Sequence, residues 1–219
     1  MSIQSGTTDF QEGQRTIPLV FGTRQMSIGP KTRCTLQEYL DLERSGEARH
    51  EYLDGEVFAM GGASWPHVVI VSNVVRRLGN QLQGRSCQVT SNDLRVKVSG
   101  TGLYTYPDIT VVCGKPQFEQ PGEALLNPQA ILEVVSDSTE AYDRGKKFEH
   151  YRAVESLTDY LLVSQNEVLV EHYSRQPDGR WIYAAANKAV DSVSIATLGC
   201  VLSLAEVYDN VEGLSARGA

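Results

Sequence analysis

The chain has 219 residues, 41% of them hydrophobic, enough to bury one sizeable core and too few for two full domains. A formal charge of −7 without any Lys/Arg-rich run speaks against a protein that grips nucleic acid through a broad basic face: either any such contact is local, with a few cations lining a cleft, or nucleic acid is not the partner. No stretch approaches the roughly 18 apolar residues of a membrane span, and Met1 to Gly6 lacks the regions of a signal peptide, so no membrane association and a cytoplasmic location are expected. Cys34, Cys87, Cys113 and Cys200 lie far apart with no Cys-x-x-Cys, which indicates neither a zinc knuckle nor a disulfide framework; Cys113 reads as buried packing.

Residues 1–32 are rich in Gly, Thr, Gln and Ser and read as an N-terminal arm, partly flexible. Its apolar island, Ile17 to Phe21, is expected to pack on a neighbouring surface, of a second subunit or of its own. A single domain is expected over 33–211, with 212–219 as a flexible tail. Thr35-Leu36-Gln37-Glu38 matches a capping box and opens a short helix that Ser45-Gly46 ends. Arg49 to Leu53, the turn Asp54-Gly55 and Glu56 to Met60 carry a hairpin signature. Period-two alternation places Glu51 on one face with Arg49 and Leu53, and His50 with Tyr52 on the other.

Ser64 and Pro66 then suit the N-cap and first turn of a helix whose Val71, Val74 and Leu78 recur at helical spacing, with His67 heading that row. Cys87 to Val98 reads as one strand, and Ser99 to Gly102 as the turn into the next apolar run, Tyr106 to Val112, which carries Asp108. After a loop over 114–129 comes Ile131 to Ser136, which carries Glu133. A helix follows from about Glu140 to Val154, with Lys147 and Tyr151 at i and i+4, and Ser138 and Asp143 are assigned to its capping. Asp159 to Ser164 and Glu167 to Ser174 read as paired strands, Trp181 to Ala186 and Ser192 to Thr197 as a further hairpin-like pair, and Leu204 to Tyr208 as a short helix. This order implies an α+β (α/β-like) domain, a mixed β-sheet with a helix on each face.

The chemistry concentrates where two buried-looking strands each carry one carboxylate. Such charges need a partner, and the economical one is a shared hard divalent cation bound through Asp108, Glu133 and a main-chain carbonyl near Val134. That ion would polarise a phosphoryl oxygen and lower the pKa of a bound water. A cation to orient the water is still wanted, and Lys147 is the best placed in sequence. The plain alternatives are an Asp capping the turn after Pro107 and a solvated Lys147.

Pro107-Asp108 followed by Glu133-Val134-Val135 resembles the PD-(D/E)xK signature of the restriction-endonuclease-like superfamily. More closely, Tyr52 to Val57, His67, Asn92 to Val96, Pro107-Asp108, Leu132 to Ser136 and Asp143 to Lys147 with Tyr151 are similar to the Uma family ("Uma two") of restriction-endonuclease-like proteins. The resemblance covers roughly Thr35 to Tyr208. It implies a restriction-endonuclease-like mixed β-sheet flanked by helices, with Asp108 and Glu133 binding Mg²⁺, or Mn²⁺ as a substitute, and Lys147 as catalytic lysine. The chain departs from the superfamily pattern at Val135, where the ExK lysine belongs; in this family that lysine sits on the following helix.

Glu51 matches the acidic residue the family places before its Asp-Gly-Glu turn and would complete the metal shell or hold an outer-shell water, or instead pair with Arg49 or Arg95. His67 is a metal ligand or proton acceptor, or else a hydrogen-bonded core residue; the positive helix end opposes its imidazolium form. Trp65 and Trp181 are assigned to packing, with a place at a cleft mouth as the alternative for Trp65 beside His67. The expected function is a metal-dependent endonuclease hydrolysing phosphodiester bonds, with nucleic acid, above all DNA, as partner and a homodimer as assembly. Its rivals are a catalytically inactive nuclease-fold module for protein interaction or oligomerisation, and a hydrolase of a small phosphorylated molecule.

Overall fold

The structure, a computed structural model, describes residues 33–46, 48–120 and 123–214, so the apolar island Ile17 to Phe21 lies outside the described residues. Helix α1 (Leu36–Ser45) begins with the capping box of Thr35 and Glu38 and ends at Gly46, whose φ of 85° is the left-handed conformation that glycine adopts without cost. β1 (His50–Leu53) and β2 (Glu56–Ala59) pair across Asp54 and Gly55, both at positive φ as a tight hairpin turn requires. α2 (Trp65–Leu82) starts at the Ser64 cap and buries Ile70, Val71, Val74, Leu78 and Leu82 along one stripe.

The stretch Cys87 to Val98 is two strands, β3 (Cys87–Ser91) and β4 (Val96–Val98), in different sheets. Asn92 breaks it at φ 50°, a conformation Asn tolerates better than most residues, and alternation within each half hid the bend. β5 (Leu103–Thr105) joins β4, β1 and β2 in a four-stranded sheet of order β2-β1-β5-β4. The run through Asp108 is likewise shorter than its sequence suggests: β6 is Ile109–Cys113, and Asp108 stands just before it.

β7 (Ala130–Val135) leads to helix α3 (Glu140–Tyr142), a π-helical turn (Asp143–Lys147) and α4 (Phe148–Tyr151), continuous in the chain. β8 (Asp159–Ser164), β9 (Val170–Arg175) and β10 (Trp181–Ala186) complete a six-stranded sheet of order β10-β9-β8-β7-β6-β3. All its pairs are antiparallel except β7 with β8, whose connection needs the intervening helix. β11 (Ser192–Ile195) pairs with β12 (Cys200–Ser203), not with β10, which instead pairs with β9. Val193 and Ile195 thereby join Leu202 and the buried face of α5 (Leu204–Val207) in the core beneath α2.

The helices lie on both faces of the six-stranded sheet, the mixed α+β arrangement expected. β7 sorts its residues between them by simple alternation. Ala130, Leu132 and Val134 pack into the core with α2, whereas Ile131 and Val135 pack with Tyr151, Val154 and Tyr160 on the other face. One cysteine expectation is corrected. Cys87 and Cys113 are cross-strand partners in the β3–β6 register and form a disulfide, while Cys34 and Cys200 are free and buried. A pairing set by strand register leaves no trace in sequence spacing.

Candidate active site

The register Ile109 with Leu132 brings Asp108 opposite Glu133. The Asp108 amide donates to Glu133 Oε2 at 3.3 Å, and the Val134 amide donates to Asp108 Oδ2 at 2.8 Å. From the first turn of α2, His67 Nε2 lies 3.0 Å from Asp108 Oδ1. Ser64, which caps that turn, is bound in turn to Gln165 in the β8–β9 connection, 2.8 Å away.

Glu133 shares the face of β7 on which the helical segment packs, and there it meets Lys147. The ammonium Nζ lies 3.0 Å from Glu133 Oε1, 3.1 Å from Glu51 Oε1 and 3.4 Å from Asp143 Oδ1. Asp143 and Lys147 are four residues apart on the π-helical turn and reach the same point; such turns are often found at functional sites. Tyrosine and threonine hydroxyls fix the carboxylates. Tyr151 donates to Glu133 Oε1 at 2.8 Å, Thr105 to Glu51 Oε1 at 2.5 Å, and Tyr142 to Glu51 Oε2 at 3.2 Å.

Three carboxylates therefore surround one ammonium, and Asp108 adds a fourth nearby. Burial is the largest influence on Glu133 and pushes its carboxyl up to about 8, against the pull of Lys147 and with the push of Asp108 and Asp143. Burial also raises Asp143. For Lys147 burial works downward, but its carboxylates, Glu133 first, outweigh it and hold the ammonium well above the ordinary lysine range. The cluster carries more negative charge than Lys147 can neutralise, so a proton or a second cation completes it. Access is uneven: the Glu133 and Lys147 side chains are 4% and 7% exposed, those of Asp108 and His67 17% and 16%. Solvent reaches the cluster by the Asp108–His67 edge.

All five side chains singled out in the sequence thus fall into one connected cluster, with Val134 contributing its amide to Asp108. Lys147 is not on a solvated face, and the cation of Glu51 is Lys147; Arg49 pairs with Asp93 instead. Asp143 does not cap the helix. It is a buried member of the cluster, and its i,i+4 spacing from Lys147 was the available signal. Thr105 and Tyr142 had no such signal, because their roles follow from tertiary contacts. Trp181 packs against Phe148 as expected, but Trp65 is 70% exposed beside the site.

Among the described residues, no three His, Cys, Asp or Glu side chains form a ready-made metal cage. The donor set nevertheless fits Mg²⁺, which is commonly held by one or two carboxylates while retaining waters. Glu133 Oε2 accepts only the long contact from the Asp108 amide, and the Asp108 carboxylate lies at the more accessible edge with His67.

A mixed sheet flanked by helices, with carboxylates converging from adjacent strands, defines a nuclease-like α+β protein. A crystal structure from Anabaena variabilis ATCC 29413, described as "a putative nuclease", shares this fold with a TM-score of 0.66 at 20% identity, over 80% of this chain and 97% of that one. Two Synechocystis sp. (strain ATCC 27184 / PCC 6803 / Kazusa) proteins, "Uncharacterized protein slr1290" and "Uncharacterized protein sll1609", are 35% and 33% identical to this chain. The alignments span 82% and 72% of this chain and 93% and 89% of theirs. Residues 36–205 match the Uma2 family, described as "Putative restriction endonuclease", and the chain belongs to that family. Among the described residues no helix is long and apolar enough to cross a membrane.

Proposed function

We propose that the protein is a Mg²⁺-dependent endonuclease that hydrolyses phosphodiester bonds in DNA. The observation that carries this reading is the gathering of Asp108, Glu133 and Lys147 from three separate elements: Glu133 accepts the Asp108 main-chain amide at 3.3 Å and the Lys147 ammonium at 3.0 Å, and the Asp108 carboxylate accepts the neighbouring Val134 amide at 2.8 Å. Asp108, Glu133 and the Val134 carbonyl would hold the ion, with Mn²⁺ as a substitute; when bound, it polarises a phosphoryl oxygen and makes its water a better nucleophile. His67 fixes the rotamer of Asp108, and Tyr151 that of Glu133. Glu51 steers the Lys147 ammonium toward Glu133, where it offsets charge developing on the phosphate.

A second reading, a catalytically silent copy of the fold serving as an interaction module, draws support from the enclosure of Lys147 by three carboxylates. Supercoiled plasmid separates the two. The nuclease reading expects Mn²⁺- or Mg²⁺-dependent nicking that is lost in Asp108→Ala and Lys147→Arg, with circular dichroism unchanged and calorimetric metal binding lost in Asp108→Ala. Absence of nicking by the wild type with either metal, or nicking that persists in folded Asp108→Ala, would sink it.

A further inference from the structure

His50 and Glu51 are adjacent on β1 and point to opposite faces. Glu51 faces Lys147, while His50 Nδ1 meets Glu43 Oε1 at 2.8 Å on the far side. Thr105 and Tyr106 divide in the same way, Thr105 donating to Glu51 and Tyr106 to Glu43. Behind the candidate active site, across the thickness of one strand, lies a second and separate cleft of about 240 Å³, into which Arg44, Arg49 and Arg95 project.

The carboxylates bordering this cleft are already engaged. Glu43 is held by His50 and Tyr106, Glu123 by Arg44 at 2.9 Å, and Asp93 by Arg49 at 3.3 Å. Arg95 is different. It is 9% exposed, lies against the rings of Tyr39 and Tyr104, feels Glu43 across the cleft, and makes no carboxylate ion pair among the described residues; its Nε is enclosed. A buried guanidinium without a carboxylate ion pair, lining a cavity whose two rim arginines are each paired with a carboxylate, can take an oxyanion, because planar N–H donors match phosphate geometry. The cleft is tied to the metal-binding edge by main chain: the Asn92 amide donates to the Asp108 carbonyl at 3.0 Å, and Asp93 and Tyr106 border the cleft.

We propose that the Arg44–Arg49–Arg95 cleft binds a backbone phosphate of the nucleic acid flanking the bond presented at Asp108. This rests on the nuclease reading and adds to it how an acidic protein holds a polyanion: by a few arginines set in one cleft. The cleft supplies no reacting group, and its arginines are positioning residues.

The test is binding of a short fluorescent DNA duplex in EDTA, followed by anisotropy over a range of salt, for wild type, Arg49→Gln and Arg95→Gln. Arg95 is wedged between tyrosines, so half-buried Arg49 is the variant that keeps the test decisive if Arg95→Gln fails to fold. Arg49→Gln should weaken binding about tenfold and lower the salt slope by about one. Inorganic phosphate should compete with the duplex for the wild type. Wild-type affinity and slope in Arg49→Gln would overturn the proposal, as would phosphate binding without duplex binding, which would mark a small-ligand site. Because no metal is present, failure here with nicking intact rejects the cleft alone, and arginine-dependent duplex binding without nicking rejects catalysis alone.

Discussion

The two faces of β7 are built from the same six residues and do opposite things. Toward α2, Ala130, Leu132 and Val134 are wholly apolar and sit in the largest core cluster. Toward the π-helical turn, Glu133 stands between Ile131 and Val135 and draws Lys147, Asp143 and Glu51 into a buried ionic cluster. The difference teaches where stability and chemistry reside in this fold. The apolar face gains free energy with every methylene it buries, whereas the ionic face consumes much of its attraction in desolvating its own charges.

The sharpest break in that comparison is removal of the ammonium. Lys147→Met leaves Glu51, Glu133 and Asp143 buried around no cation, and should cost about 3–5 kcal/mol in urea unfolding. Adding Glu51→Gln should recover part of the loss, because one fewer carboxylate then faces the missing cation; a single variant as stable as wild type would show that the cluster contributes nothing to folding. Next comes the opposite face. Leu132→Ala removes a fully buried side chain beneath α2 and should cost about 3 kcal/mol. Metal binding by the folded protein should be unchanged, and a selective loss of metal affinity would show that the two faces are not independent.

How much of this was legible depends on which contacts are local. The capping box at Thr35, the Asp54-Gly55 turn and the Ser64–Pro66 helix start are written in neighbouring residues and are found as read. The alternation of β7 likewise separates Glu133 from Leu132 without any knowledge of the fold. Pairings between distant elements were not legible: β10 with β9, β11 with β12, and Cys87 with Cys113 are decided by sheet order and register. The same limit hid Asp143. Its spacing from Lys147 was visible, but only burial against Glu133 distinguishes a cluster member from a helix cap. Lys147 was legible from its place on the helix that leaves the Glu133 strand, and the family resemblance agreed where the spacing within β7 offered only Val135.

A smaller effect tests the proton on the ionic face. With Glu133 pushed up to about 8 by burial, a proton would compete with the proposed metal for its carboxylate. Metal affinity should therefore rise with pH, by up to about tenfold per unit, and level off above about pH 8. Calorimetry in two buffers of different ionisation enthalpy should detect the released proton. In Glu133→Gln the slope should vanish along with most of the affinity; a flat profile in the wild type would mean that Glu133 is already ionised in the metal-free protein or is no ligand.

The smallest effect asks whether the position of the lysine matters or only its charge. Val135 is two residues beyond Glu133 on the same face of β7, so a lysine there would extend past Glu133 from the strand instead of the helix. Val135 is also packed against Tyr151 and Tyr160, so the longer side chain fits only if space is freed. Lys147→Met keeps an unbranched side chain at the helix position while removing its charge. In that background, Val135→Lys should raise nicking about fivefold over Lys147→Met alone, on the order of 1 kcal/mol in the barrier. It should also return part of the lost urea stability, since a cation again faces Glu133. Recovery of stability without nicking would separate neutralisation from catalysis and assign Lys147 to the fold; recovery of both would mean that the ionic face of β7 accepts its cation from either side.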